Sequence, residues 1–169
     1  MKVGFIGLGN VGSKLAKNLI NNNFSLCVLD LNTSLSSSYL KMGAEWGKNP
    51  KELAISCDVI ITCLPSPQAC SAVMEGSDGV IEGLSEGKIW LEMSTTDFEE
   101  VRRIGELVTS ANGKPMDCPV SGGCHRAATG NISIFAGGER KTFERALPVL
   151  KTLGRQILHT GELLSLIHI

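Results

Sequence analysis

Short apolar runs alternate with amphipathic segments along almost the whole chain. "KVGFIGL" near the N-terminus is typical of a strand, and "DVIITCLP" is a continuous apolar run of the kind that is buried on both faces of a sheet. Between them, "VGSKLAKNLINNN" has the spacing of an amphipathic helix. This alternation indicates an α/β fold: a doubly wound, mostly parallel sheet with helices on both faces.

The alternation continues to about His159 without an internal repeat or a low-complexity linker. A chain of 169 residues is the usual size of one domain and can bury a substantial core. We therefore expect one domain over residues 1–162 and a separate tail over residues 163–169. Within the domain, "KPMDCPV" is expected to be one strand and the glycine-rich "SGGCHRAATG" a loop.

Composition and charge disfavour several classes of protein. The formal net charge is -1, so there is no basic excess to meet a nucleic-acid backbone. No apolar run reaches the ~18 residues of a membrane span. The six cysteines form no C-x-x-C pair and only three histidines are present, so no metal site is expected. Reduced thiols in a cytoplasmic protein are the simplest interpretation.

The segment "GFIGLGNVG" begins within the first strand and ends in G-x-G-x-x-G, which lies where that strand leads into a helix. In such a motif one glycine makes a tight turn, the second lets the backbone approach a pyrophosphate, and the third packs the helix on the strand. The helix that starts near Asn10 offers N–H groups to the phosphates. This context predicts a Rossmann-type dinucleotide site. Its residues are Gly7, Leu8, Gly9, Asn10, Val11 and Gly12, with Asp30 at the end of the second strand.

Asp30 also bears on the choice between NAD and NADP. A carboxylate there can accept hydrogen bonds from both adenosine ribose hydroxyls and repels a 2'-phosphate. The next residue is Leu31 rather than an arginine, so NAD is favoured and NADP is the less favoured alternative. Asp30 could instead serve as the N-cap of the helix that follows it, which is compatible with both cofactors.

Three later strands also end in polar or glycine-rich turns, where ligands of doubly wound sheets bind. "CLPSP" follows the fourth strand, and "EMSTTD" follows the fifth. "DCPVSGG" follows the sixth, where a hydroxyl and bare N–H groups suit a carboxylate. Ordinary turn chemistry is the alternative explanation for each taken alone.

The order "GFIGLGNVG", "LP", "ST", "DCPVSGG…A…G…AGG" resembles the β-hydroxyacid dehydrogenase family, which includes 3-hydroxyisobutyrate dehydrogenase and tartronate semialdehyde reductase. The resemblance implies a nicotinamide-dependent oxidation of a small 3-hydroxy acid to its semialdehyde, or the reverse reduction. It implies that Leu64, Pro65 and Thr95 contact NAD. It also implies that the substrate carboxylate is held by Ser121, Gly122 and Gly123.

The sequence departs from that family in two places. His125 and Arg126 stand where many members have small residues; they are either a surface basic pair or an additional contact to a doubly charged substrate. The family's catalytic lysine belongs to an element that should begin at "HTGEL", yet the sequence continues "LSLIHI" and has no lysine after Lys151. We therefore expect no catalytic residue in this chain, and a truncated or non-native tail over residues 163–169.

The resemblance further implies a helical second domain that forms a homo-oligomer in the parent enzyme. This chain alone is expected to bind the cofactor and to catalyse little, since the proton partner of the hydride step is missing. Two other functions stay open: a free-standing dinucleotide-binding module, and the cofactor domain of a 6-phosphogluconate dehydrogenase-like enzyme. The "PVSGGCHRAATG" loop favours an enzyme over a pure binding module, which needs no carboxylate pocket.

Overall fold

A computed structural model describes residues 1–94 and 96–165. Six parallel strands form the main part of one sheet, in the order β3-β2-β1-β4-β5-β6. The order reverses between β1 and β4, which makes that boundary the switch point of the sheet. These strands are β1 (Lys2–Ile6), β2 (Ser25–Leu29), β3 (Glu45–Trp46), β4 (Val59–Thr62), β5 (Ile89–Glu92) and β6 (Lys114–Asp117).

Three further strands extend the sheet beyond β6. β7 (Val120–Ser121) and the end of β6 both pair antiparallel with β8 (Ile132–Gly137). β9 (Gly154–Gly161) then pairs parallel with β8. The sheet is thus mostly parallel with antiparallel contacts at one end, which confirms the predicted Rossmann-type fold.

Successive residues of the central strands face two separate cores. Val59 and Ile61 of β4 pack with α1 and α8 on one face, whereas Ile60 packs with α3, α4 and α6 on the other. This is why the strand reads as one continuous apolar run. The helices are α1 (Gly12–Asn21), α2 (Ser36–Lys41), α3 (Pro50–Ser56), α4 (Pro67–Glu75), α5 (Val80–Gly83), α6 (Phe98–Ser110), α7 (Gly123–Ala128) and α8 (Arg140–Leu153), with a 3-10 turn at Thr33–Leu35.

Local capping fixes where the helices begin. The Asn49 side chain accepts a hydrogen bond from the Glu52 N–H at 2.8 Å, with Pro50 in the first turn of α3. Ser66 caps α4 in the same way. In the part of the chain that the structure describes, no helix is both long and apolar enough to cross a membrane.

Two details of the sequence interpretation are wrong. "KPMDCPV" is not one strand, because β6 ends before Cys118 and β7 begins after Pro119, which has no N–H to continue the ladder. "SGGCHRAATG" is not a loop throughout, since residues 123–128 form α7. Gly122 turns the chain at φ +129°, and the carbonyl of Ala127 then accepts a hydrogen bond from the Asn18 side chain at 2.7 Å.

Candidate functional site

A cleft of about 930 Å³ lies at the carboxyl ends of the parallel strands, at the switch point of the sheet. Its walls come from the loop between β1 and α1, from the ends of β2, β3, β4 and β5, and from α4. Five of the residues predicted from the glycine motif line it together with Asp30, which directly follows β2: Gly7, Gly9, Asn10, Val11, Gly12 and Asp30.

The three glycines of this loop have different structural roles. Gly7 has φ +99°, and a Cβ there would overlap the carbonyl oxygen of Cys63 on the neighbouring loop. A Cβ at Gly12 would overlap the carbonyl oxygen of Gly7, so the first turn of α1 packs directly on the glycine turn. A Cβ at Gly9 would meet no atom within 4 Å. Close packing therefore requires glycine at positions 7 and 12, whereas Gly9 leaves space in which a ligand can approach the backbone.

Helix α1 begins at Gly12, two residues later than expected, so Asn10 and Val11 form the turn that leads into it. The side chain of Leu8 is buried in the core, and its N–H donates to Asp30 Oδ2 at 2.6 Å. Leu8 therefore faces away from the cleft, and its contribution to the site is the backbone bond that holds the loop to the end of β2.

Asp30 connects the end of β2 to two neighbouring segments. Besides the Leu8 N–H, it accepts a hydrogen bond from the Asn32 N–H at 2.8 Å. The cap of the 3-10 turn is Asn32, which accepts from Ser34 N–H at 3.2 Å, so Asp30 is not the N-cap that the sequence left open as an alternative. Asp30 keeps its carboxylate at the cleft wall, beside the fully exposed Leu31.

The other end of the cleft is formed by the turns after β4 and β5. Leu64 and Pro65 line it, and the N–H of Leu64 donates to Ser94 Oγ at 2.7 Å. Burial raises the pKa of the Cys63 thiol to about 11, so this cleft residue is a neutral thiol at neutral pH and not a nucleophile. Thr95, which is predicted to contact the cofactor, lies outside the described residues, as do residues 166–169 of the predicted tail.

The expected carboxylate-binding residues lie next to the cleft and not in its wall. Val120 lines the cleft, whereas Ser121, Gly122 and Gly123 follow it on the exposed surface. The aliphatic part of Arg126 packs over Gly122, where a Cβ would come within 2.7 Å of Arg126 Cδ. The structure therefore places this segment at the mouth of the cleft with a cationic side chain from α7 close by.

Several residues of the cleft are not predicted by the sequence motifs. Trp46 at the end of β3 and the nearby Lys48 line it, as do Ala69, Ala72 and Val73 of α4. The end of β3 is a position where a doubly wound sheet can carry site residues, but a strand of two residues is a weak signal in the sequence. Among the residues the structure describes, no three His, Cys, Asp or Glu side chains are grouped for a metal ion.

Asp117, the first residue of "DCPVSGG", anchors the segment after β9. It is buried at the end of β6 and accepts a hydrogen bond from the Leu164 N–H at 2.6 Å. Burial raises the pKa of its carboxyl group above the ordinary range. The buried environment therefore disfavours the charged form, in a position where a neutral acceptor would serve equally well.

A pH-dependent change in stability follows for Asp117→Asn. Because the carboxyl pKa is higher in the folded than in the unfolded chain, the folded chain loses stability relative to the unfolded one as pH rises from about 3.9 through the raised pKa. The amide does not titrate and still accepts from Leu164. Urea unfolding of both proteins between pH 4 and 7 should show that the free energy of unfolding of Asp117→Asn increases relative to that of the wild type as pH rises. A constant difference over this range would contradict the prediction.

Comparison with known proteins identifies the fold family. Residues 2–161 match the family model described as the NAD binding domain of 6-phosphogluconate dehydrogenase. The chain belongs to this family. The match covers the whole sheet and every described residue of the cleft.

The relatives of this chain include a dehydrogenase and a reductase. The chain is 34% identical to a probable mitochondrial 3-hydroxyisobutyrate dehydrogenase of Dictyostelium discoideum, over 95% of this chain and 50% of the relative. It is 33% identical to glyoxylate/succinic semialdehyde reductase 1 of Arabidopsis thaliana, over 96% and 56%. The crystal structure of 3-hydroxyisobutyrate dehydrogenase from Salmonella typhimurium superposes with a TM-score of 0.91 at 26% identity, covering 99% of this chain and 60% of that one. This chain thus spans about half the length of these proteins and is similar to dehydrogenases and reductases.

Proposed function

We propose that this chain is the cofactor domain of an NAD-dependent oxidoreductase that transfers a hydride between nicotinamide and a small 3-hydroxy acid or its semialdehyde. The observation that carries the proposal is the cleft at the switch point of the sheet. There the space beside Gly9 is empty, Gly7 and Gly12 are in close contact with neighbouring backbone, and Asp30 lies at one end. Such a cleft fits a dinucleotide, because its glycine turn lets a pyrophosphate approach the backbone.

The order of the strands supports one orientation of the cofactor along the cleft. Asp30 at the end of β2 would hold the adenosine ribose, and the turn at Gly9 beside β1 would hold the pyrophosphate. The nicotinamide half would then reach the turns after β4 and β5, where Leu64 and Ser94 lie. A bound nicotinamide cofactor would accept or supply the hydride, and these residues would hold and orient the cofactor.

The substrate site would lie beside Val120, at the mouth of the cleft. There Ser121, Gly122 and Gly123 would bind the substrate carboxylate, as the resemblance to β-hydroxyacid dehydrogenases implies. The proton partner would be the lysine that the resemblance places in an element after "HTGEL". Because this chain spans about half the length of its relatives, we propose that the full protein adds a helical domain and is a homo-oligomer, and that this chain alone turns over little substrate.

Asp30→Ala tests the cofactor assignment. The wild-type chain should bind NADH more tightly than NADPH, and the variant should bind NADH roughly 10- to 100-fold more weakly, because a charged acceptor for the ribose hydroxyls is lost. Its affinity for NADPH should change less, since the repulsion of the 2'-phosphate is lost as well. Titration calorimetry with both reduced cofactors measures this.

Asn32→Ala is the matched control for Asp30→Ala. It removes the neighbouring cap of the 3-10 turn and leaves the Asp30 carboxylate in place. The control should keep the preference for NADH. A wild-type chain that prefers NADPH, or an Asp30→Ala variant with unchanged NADH affinity, would contradict the assignment.

A second candidate is a dinucleotide-binding module that does not act on a hydroxy acid. The exposure of Ser121, Gly122 and Gly123, outside the cleft wall, favours it. A titration of the NAD-saturated chain with 3-hydroxyisobutyrate separates the two. Saturable binding that weakens in Ser121→Ala supports the oxidoreductase, and the absence of binding supports the module.

A further inference from the structure

A buried carboxylate lies directly beneath one end of the cleft. Glu92, the last residue of β5, is only 2% exposed. Its Oε1 atom accepts a hydrogen bond from the Ser94 N–H at 2.6 Å. Its Oε2 atom accepts from Thr62 Oγ1 at 2.8 Å and from the Cys70 thiol at 3.0 Å. Only hydrogen-bond donors therefore face the two oxygens.

The groups around Glu92 act as hydrogen-bond donors to it. Trp90 Nε1 donates to Thr62 Oγ1 at 2.8 Å, and the Thr62 hydroxyl donates its own proton to Glu92 Oε2. Burial and the nearby Glu92 raise the pKa of Cys70, which therefore keeps the proton that it donates. The carboxylate is thus held by donors from β4, α4 and its own strand.

From Glu92 the hydrogen bonds continue to the surface of the cleft. The hydrogen bond to the Glu92 carboxylate holds the backbone of Ser94 in place. The Ser94 hydroxyl oxygen in turn accepts a hydrogen bond from the Leu64 N–H at 2.7 Å. Ser94 and Leu64 line the cleft, whereas Glu92 does not. One buried side chain therefore sets the relative position of the turns after β4 and β5.

Stability alone gives little reason for a carboxylate in this place. Glu92 takes part in none of the ion pairs formed by the described residues, and burying a charge without a cation is costly. An apolar residue of the same shape would avoid that cost but would leave the Ser94 N–H and the Thr62 hydroxyl without acceptors. What the carboxylate uniquely provides is the geometry of the two turns.

We propose that Glu92 is a positioning residue for the nicotinamide half of the cofactor. It acts through Ser94 and Leu64, and it has no part in holding the adenosine half, which lies towards Asp30. This inference rests on the proposed function, because the orientation of the cofactor defines which half reaches these turns.

Three variants test the proposal: Glu92→Gln, Ser94→Ala and the double variant. Glutamine keeps the volume but puts an N–H₂ group against the Thr62 and Cys70 donors, and alanine removes the acceptor of the Leu64 N–H. Each single variant should weaken NADH binding roughly tenfold. Binding of ADP-ribose, which lacks only the nicotinamide, should change by less than about twofold, because the adenosine end is untouched.

The double variant should bind NADH no more weakly than the more affected single variant, since both changes break the same chain of hydrogen bonds. Equal weakening of NADH and ADP-ribose, unchanged NADH binding, or additive effects in the double variant would each overturn the proposal. If Glu92→Gln does not fold, Ser94→Ala decides by the same comparison of ligands. Glu86→Gln, an exposed glutamate in the loop before β5, is the matched control. A wild-type chain that binds neither ligand would instead refute the proposed function.

Discussion

Gly12→Ala should abolish dinucleotide binding and lower the stability of the chain by about 3 kcal/mol, the upper part of the range for overpacked sites. The added methyl group overlaps the carbonyl oxygen of Gly7, which is backbone and cannot rotate away. To relieve the overlap, α1 must move off the glycine turn. Urea unfolding should show the loss, and the melting temperature should fall by roughly 6–12 °C.

Gly9→Ala is the counterpart that separates binding from folding. Its methyl group meets no atom within 4 Å, so the unfolding curve should match that of the wild type. The same methyl group projects into open space at the glycine turn and should weaken NADH binding at least roughly tenfold, by preventing close approach of the pyrophosphate. Equal binding by Gly9→Ala and the wild type would show that the phosphates do not lie on this turn.

The second large effect is expected at Lys88, far from the cleft. Its ammonium group donates to the carbonyl oxygens at the end of α3: Ala54 at 2.7 Å, Ile55 at 2.9 Å and Cys57 at 2.6 Å. A helix end leaves such carbonyls without partners of their own. Lys88→Met keeps most of the apolar side chain and removes the ammonium group that makes all three hydrogen bonds. It should cost about 2 kcal/mol of unfolding free energy.

Thermal unfolding measures this, with an expected fall of roughly 4–8 °C in melting temperature. Lys17→Met, an exposed lysine of α1, is the control and should change the melting temperature little. NADH affinity should be unchanged in both variants, because neither residue lines the cleft. A Lys88→Met variant as stable as the wild type would mean that water replaces the ammonium group at no cost.

Much of the fold is predictable because its signals are local. A strand buried on both faces must be apolar throughout, so β4 is evident from "DVIIT" alone, and the two cores on either side of Ile60 and Ile61 are the reason. The glycine turn is predictable for the same kind of reason. Gly7 and Gly12 are fixed by contacts within a few residues of the motif and one neighbouring turn.

Other parts of the site depend on contacts between segments distant in sequence. Nothing near Glu92 in the sequence shows that its carboxylate meets Thr62, which lies thirty residues earlier. The bond from Leu8 to Asp30 is equally hidden, and only the structure shows that Asn32 is the cap of the 3-10 turn. The short α7 is hard to predict because Gly122 precedes it and Gly123 begins it, although the residues that follow contain no helix breaker until Gly130.

The measurement that tests the account most directly is a calorimetric titration of the 169-residue chain with NADH, run beside Gly9→Ala. The account predicts saturable one-to-one binding to the wild type, competition by ADP-ribose, and much weaker binding to a Gly9→Ala variant that unfolds at the same temperature. A folded wild-type chain that gives no binding heat across several temperatures, or equal binding by both proteins, would contradict the claim that this cleft holds a dinucleotide.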